Sequence, residues 1–147
     1  TIIVMEELIE CLQKLNISCH TILRVHPNSN LDDYLPVANE FNQLSIEEDA
    51  YEICMRSDVV VGMTSMLLLE ACLLGKPTLS ILPDNQERHW MPNTEFGPTA
   101  TVSSREELFN YWKEKKFLDY ESVIPEWVTL NYDDKFIKRI TSLLMKQ

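Results

Sequence analysis

Thr64 and Ser65 open an apolar run over 66–74 in which Glu70 is the one side chain unsuited to a dry interior. A helix starting at Ser65 presents unpaired backbone N–H groups, two hydroxyls and the positive end of its dipole, a combination that holds a phosphate. Glu70 lies five residues further on, roughly 7–8 Å along the axis at the α-helical rise. That is about the span from a nucleotide's phosphates to its ribose hydroxyls. A carboxylate among leucines is costly unless something binds it, and two ribose hydroxyls donating to Glu70 would do so. Arg24 and His26, on a neighbouring loop, would add positive charge and donors at the phosphate end, with His26 the candidate for a catalytic part. Arg88, His89 and Trp90, in a long loop over 83–98, are candidates for sugar or acceptor contact.

Each of these residues also has a plainer explanation. Glu70 would mark the wet side of an apolar helix, Thr64 and Ser65 are good N-caps, and His26 before Pro27 would close a turn. Arg88, His89 and Trp90 would simply be solvated. The three histidines are scattered without ligand spacing, so no metal site is expected. Gly62, Gly75 and Gly97 are the only glycines, which excludes a dinucleotide fingerprint and a Walker loop.

The elements that must position these residues follow from pattern. Residues 59–61 form an unbroken valine run, a strand covered on both faces as in a parallel sheet. Gly62 is read as the sharp turn into the helix, Gly75 as its C′ glycine, and Pro77 as the stop. Upstream, Ile2, Met5, Leu8, Ile9, Leu12 and Leu15 recur at helical spacing, giving an amphipathic helix that ends near Asn16. A strand over residues 1–4 is the lesser alternative. A strand over 21–25 runs into a turn-rich loop, and 31–40 is an irregular helix interrupted near Pro36. A weak edge strand at 41–44 precedes a capping box over 45–48 and a helix to Arg56. Strands at 78–82 and 99–102 follow, with a second capping box at 103–106 before a helix through Lys115. After an irregular stretch, a last helix carries Phe136, Ile137, Ile140, Leu143 and Leu144 on one face. Alternating strands and helices imply an α/β fold, a Rossmann-like, mostly parallel open sheet with helices on both faces. Such sheets bind ligands beyond the carboxyl ends of their strands.

The 147 residues are read as one domain, long enough to bury a core without disulfides or metals. A formal net charge of −10 argues against a general nucleic-acid or anionic-membrane binder, and no apolar run approaches a membrane span. The four cysteines form no CxxC pair and read as reduced core thiols, which implies a cytoplasmic protein.

The segment Met66-Leu67-Leu68-Leu69-Glu70-Ala71, followed by Gly75-Lys76-Pro77, resembles the nucleotide-sugar-binding helix of GT-B glycosyltransferases and of the related UDP-N-acetylglucosamine 2-epimerases. Arg24-Val25-His26-Pro27 is similar to the basic HP loop of bacterial sialyltransferase and capsule-polymer transferase families. The resemblance covers residues 23–83 and is specific over 57–77. It implies the donor-binding half of a transferase for surface or capsular polysaccharide, with Thr64 and Ser65 on the donor's phosphates and Glu70 on its ribose. It also implies a phosphate contact for His26, and a UDP- or CMP-type nucleotide sugar as substrate with no cofactor. On that reading the chain is a fragment or half of a two-domain protein, inactive without its N-terminal acceptor domain or a partner chain; a homodimer is compatible with it. The position eight before Glu70 is Gly62 rather than a glutamate, which departs from retaining members and favours an inverting or epimerase-like relative. Two other readings stand beside it: half of a sugar-nucleotide epimerase or hydrolase, and a non-catalytic nucleotide-binding or scaffold subunit.

Overall fold

The structure, a computed structural model, describes residues 1–90 and 99–120, without the side chains of Asn85, Arg88 and Trp90. The last helix expected from the sequence lies outside the described residues. Within them the fold is α/β and Rossmann-like: helix α1 (Ile2–Lys14), β1 (Ile22–Arg24), a 3-10 turn (Leu31–Asp33), α2 (Leu35–Ala38), β2 (Gln43–Ser45), α3 (Ala50–Arg56), β3 (Val60–Gly62), α4 (Met66–Leu73), β4 (Thr78–Ile81), a 3-10 segment (Asn85–Trp90), β5 (Ala100–Val102), α5 (Arg105–Lys113) and a final 3-10 turn (Lys116–Asp119). Every pairing is parallel, but the strands form two small sheets, β1–β2 and β3–β4–β5, rather than one.

Period-two alternation on β3 assigns the layers. Val59 and Val61 pack with Leu79, Ile81 and Val102 against α1 and α5, through Val4, Leu12, Leu108, Tyr111 and Trp112. Val60 turns the other way, to Cys54 of α3 and Leu69, Leu73 and Leu74 at α4. Helices therefore cover both faces, with α1, α2 and α5 in contact on one and α3 and α4 on the other. Crossovers between parallel strands are right-handed, so the face a helix occupies fixes the direction in which the chain moves across the sheet. The β1-to-β2 crossover runs over the α2 face and the β3-to-β4 crossover over the α3–α4 face. In a single sheet, right-handed crossovers would therefore give the order β2, β1, β3, β4, β5, reversing between β1 and β3.

Helix ends follow local chemistry. α1 is followed by Asn16 at φ 51°, with Asn16 N–H donating to Gln13 O and Ile17 N–H to Leu12 O, both at 3.0 Å. α4 ends the same way on Gly75 at φ 76°, with Gly75 N–H to Cys72 O at 2.9 Å and Lys76 N–H to Ala71 O at 3.0 Å. Both are Schellman caps, as the glycine at 75 predicts.

Several expectations need correction. Residues 1–4 do not form a strand, because Ile2 begins α1. Gly62 ends β3 without a left-handed backbone, and a Cβ there would meet Leu68 at 3.4 Å, ordinary contact, so it makes no sharp turn and the space would take a side-chain methyl. Ser45 does not cap α3, since β2 takes it up and Asp49 supplies the cap, its Oδ1 accepting from Tyr51 N–H at 2.8 Å. The second capping box is one residue later than expected. Ser104 caps α5, its Oγ accepting from Glu107 N–H at 3.2 Å, while Glu107 Oε2 accepts from Ser103 N–H at 2.6 Å. The edge strand at 41–44 is β2 at Gln43–Ser45, and Cys19 is exposed while the other three thiols are buried.

Candidate functional site

Because every strand pairing is parallel, the loops after β1, β3 and β4 leave their sheets at the carboxyl ends of the strands. That is where open α/β sheets bind ligands. Arg24 ends β1 and His26 follows in the first loop, Thr64 and Ser65 come from the second, and His89 from the 3-10 segment after β4.

The β3–α4 loop is held from below. Ser80 Oγ donates to Met63 O at 2.7 Å. Deeper in, Thr78 Oγ1 lies 2.8 Å from both Cys72 Sγ and Thr99 Oγ1, tying α4 to β4 and to the approach of β5. Tyr120 Oη adds a donor to Cys72 O at 3.1 Å. These buried polar groups satisfy one another, which fixes α4 on the sheet. The sequence reading overlooked this frame; its signal was the two hydroxyls, Thr78 and Ser80, at period-two spacing on an otherwise apolar strand.

At the start of α4, Ser65 is the N-cap, its Oγ accepting from Leu67 N–H at 3.2 Å while its carbonyl accepts from Leu68 N–H at 3.0 Å. The preceding backbone N–H groups of Thr64, Ser65 and Met66 have no hydrogen-bond partner among the described residues. Thr64 is half-buried, and Ser65 and Met66 are exposed. Free N–H groups at a helix start, together with the positive end of the dipole, favour an anion's oxygens.

Glu70 is half-buried on α4. Its charge is felt at Cys54 of α3, whose thiol is pushed up to about 11, first by burial and then by Glu70, with Lys76 opposing. Glu70 and Lys76 thus both act electrostatically on the α3 side of the helix.

Arg24 does not reach out as a free cation. Its Nη1 donates to Val25 O and, at 2.8 Å, to Ile46 O, cross-linking the ends of β1 and β2. Its Nε is buried with no partner among the described residues. His26 closes the turn at 26–29: its carbonyl accepts from Ser29 N–H at 2.9 Å and its Nδ1 from Asn28 N–H at 3.1 Å. With Nδ1 accepting, a neutral His26 carries its proton on Nε2, on an exposed ring. His89 is exposed in the 3-10 segment after β4. Arg88 and Trp90 share that segment, and their side chains lie outside the described residues.

Ser65 thus caps the helix that carries Glu70, Thr64 lies just before the cap, and Arg24 and His26 lie at and after the end of β1. The structure gives Arg24 and His26 local structural bonds as well. Among the described residues no helix is long and apolar enough to cross a membrane. Comparison of the chain with protein-family models, with curated proteins and with solved structures returned no match in any of the three.

Proposed function

We propose that the chain holds a nucleotide-activated sugar, as the donor half of a GT-B-type glycosyltransferase acting in surface or capsular polysaccharide synthesis. The observation that carries this reading is the row of free N–H groups at Thr64, Ser65 and Met66, at the carboxyl end of β3 where α4 begins. The donor's phosphate would take up those three donors together with the dipole end of α4. Glu70, further along the same helix, would accept from the ribose hydroxyls. His26 Nε2–H, from the loop after β1, would donate to phosphate oxygen as the sugar departs, stabilising the charge that develops there. Arg24 supports this loop and leaves a spare Nε donor beneath it. Acceptor binding and the general base belong to another domain or chain, so this half binds donor without turning it over.

Calorimetric titration with UDP, CMP, CDP and GDP tests the proposal. One of them binds, and Glu70→Ala weakens it by about tenfold or more, in line with ~1.5–3 kcal/mol for a hydrogen bond to a charged group. Ser65→Ala weakens it less, since Ser65 acts chiefly by ordering the start of α4. If no nucleotide binds, or if both variants bind as well as the parent, the reading is wrong.

A further inference from the structure

Each of the two sheets has an edge that no described residue covers. In a parallel pair, alternate residues of a strand turn their backbone groups to one neighbour. Val25 N–H donates to Ser45 O at 3.0 Å and Gln43 N–H to Thr21 O at 3.1 Å, so Thr21, Leu23 and Val25 serve β2 while Ile22 and Arg24 turn away. Val60 N–H donates to Pro77 O at 2.9 Å, so Val60 and Gly62 serve β4 while Val59 and Val61 turn away. The N–H and C=O groups of Ile22, Arg24, Val59 and Val61 have no partner among the described residues. If the two sheets are parts of one, right-handed crossovers bring these two edges to face each other.

An outer edge is normally guarded by charge, proline, a bulge or a cover. The β3 edge has none of these: it reads Val59-Val60-Val61-Gly62, and its valines are only half-buried although they flank the core beneath α1 and α5. It has the composition of an interior strand. The position of α1 then says what enters. α1 shares a face with α2, so a strand feeding α1 would cross to β1 in the same direction in which β1 crosses to β2. Such a strand lies on the free side of β1, which is the side facing β3.

We propose that the slot between β1 and β3 takes one parallel β-strand, apolar on both faces, delivered by polypeptide that runs directly into Thr1. It would pair with Ile22 and Arg24 on one side and Val59 and Val61 on the other, joining the two sheets into one. This does not depend on what α4 binds.

The test compares the chain with a version carrying a designed segment ahead of Thr1, about five β-branched residues and a short polar turn, the usual length of a strand. Amide exchange is followed residue by residue by NMR. Exchange at Ile22, Arg24, Val59 and Val61 is expected to slow at least tenfold, while Leu79 and Ile81 of β4 keep their protection and so report an intact fold. A control with proline at the centre of the segment, which removes a ladder donor, should give little of this slowing. Unchanged exchange, equal slowing in the proline control, or loss of protection in β4 would overturn the proposal. So would protection of the unextended chain that grows with protein concentration, which would give the edges to a second copy, and protection by the same peptide added separately that equals the fused effect.

Discussion

The β3–β4–β5 half and the β1–β2 half are built from the same unit, short parallel strands with a helix between them, yet they differ in burial. β4 has a strand on each side and helices on both faces, and all four of its residues are buried. In the other half Leu23 and Val25 are buried, but Ile22 is half-exposed and Leu44 of β2 is 37% exposed. Parallel strands depend on cover from both faces and both edges. Among the described strands β4 alone has all four, whereas β1, β2, β3 and β5 each have one neighbour.

The strongest way to break that comparison is to cut the same side chain from each half. Leu79 on β4 has no exposed surface, and Leu79→Ala should lower the unfolding free energy by about 2–5 kcal/mol, the usual cost of removing a fully buried leucine and leaving a cavity. Leu44→Ala on β2 should stay within about 0.5 kcal/mol. Denaturant titration of both variants checks this. Equal losses would mean that β2 is as well covered as β4.

The second test concerns the helix ends that launch the chain into each half. Asn16 before β1, Gly75 before β4 and Lys115 after α5 all adopt left-handed backbone, at φ 51°, 76° and 53°. A side-chain-bearing residue costs roughly 1–2 kcal/mol there, least for asparagine, which visits this region more readily. Gly75→Ala should therefore destabilise by about 1–2 kcal/mol, while Lys115→Gly should stabilise by a few tenths up to about 1 kcal/mol. Asn16→Gly should change little. Thermal unfolding of the three variants gives the ranking, and a stabilising Gly75→Ala would mean the cap can relax.

How far the sequence foretold this depends on the range of the forces involved. The glycine at 75 and the valine run at 59–61 announce local geometry, and both elements occur where pattern placed them. Capping was harder, because residues 45–49 and 103–107 each offer more than one candidate cap and tertiary pairing selects among them: β2 takes Ser45 and leaves Asp49 to α3. The division into two sheets was not legible, since it depends on which strands lie side by side in space. At the site, pattern placed Thr64 and Ser65 at the start of the helix that carries Glu70, and Ser65 is its N-cap with Thr64 just before it. It did not foresee that Arg24 would bind Val25 O and Ile46 O or that Asn28 would occupy His26 Nδ1. Such short backbone contacts depend on loop shape rather than residue type.

The smallest expected effect sharpens the comparison at its seam, where α1 leads into β1 but is pinned to α5 of the other half. Arg105 Nε bonds Glu7 Oε1 at 2.9 Å, Arg105 Nη1 lies 3.6 Å from Glu10 Oε2, and Lys14 Nζ donates to Glu10 Oε1 at 2.7 Å. The Lys14 hydrogen bond, then the Lys14 charge, hold the Glu10 carboxyl below its ordinary 4.5, with Arg105 adding a little. A carboxylate depressed in the folded state favours folding above its unfolded pKa, and that contribution is lost as pH falls through the lower, folded value. Glu10→Gln should therefore lower the melting temperature slightly at pH 7, and the difference should shrink as pH falls below 4.5 and vanish once Glu10 is protonated. Both Glu10 and its partners are solvent-exposed, so high salt at pH 7 should remove most of the difference too. A gap that persists in salt and at low pH would mean that Glu10 fastens α1 by packing, and that the seam between the halves is not electrostatic.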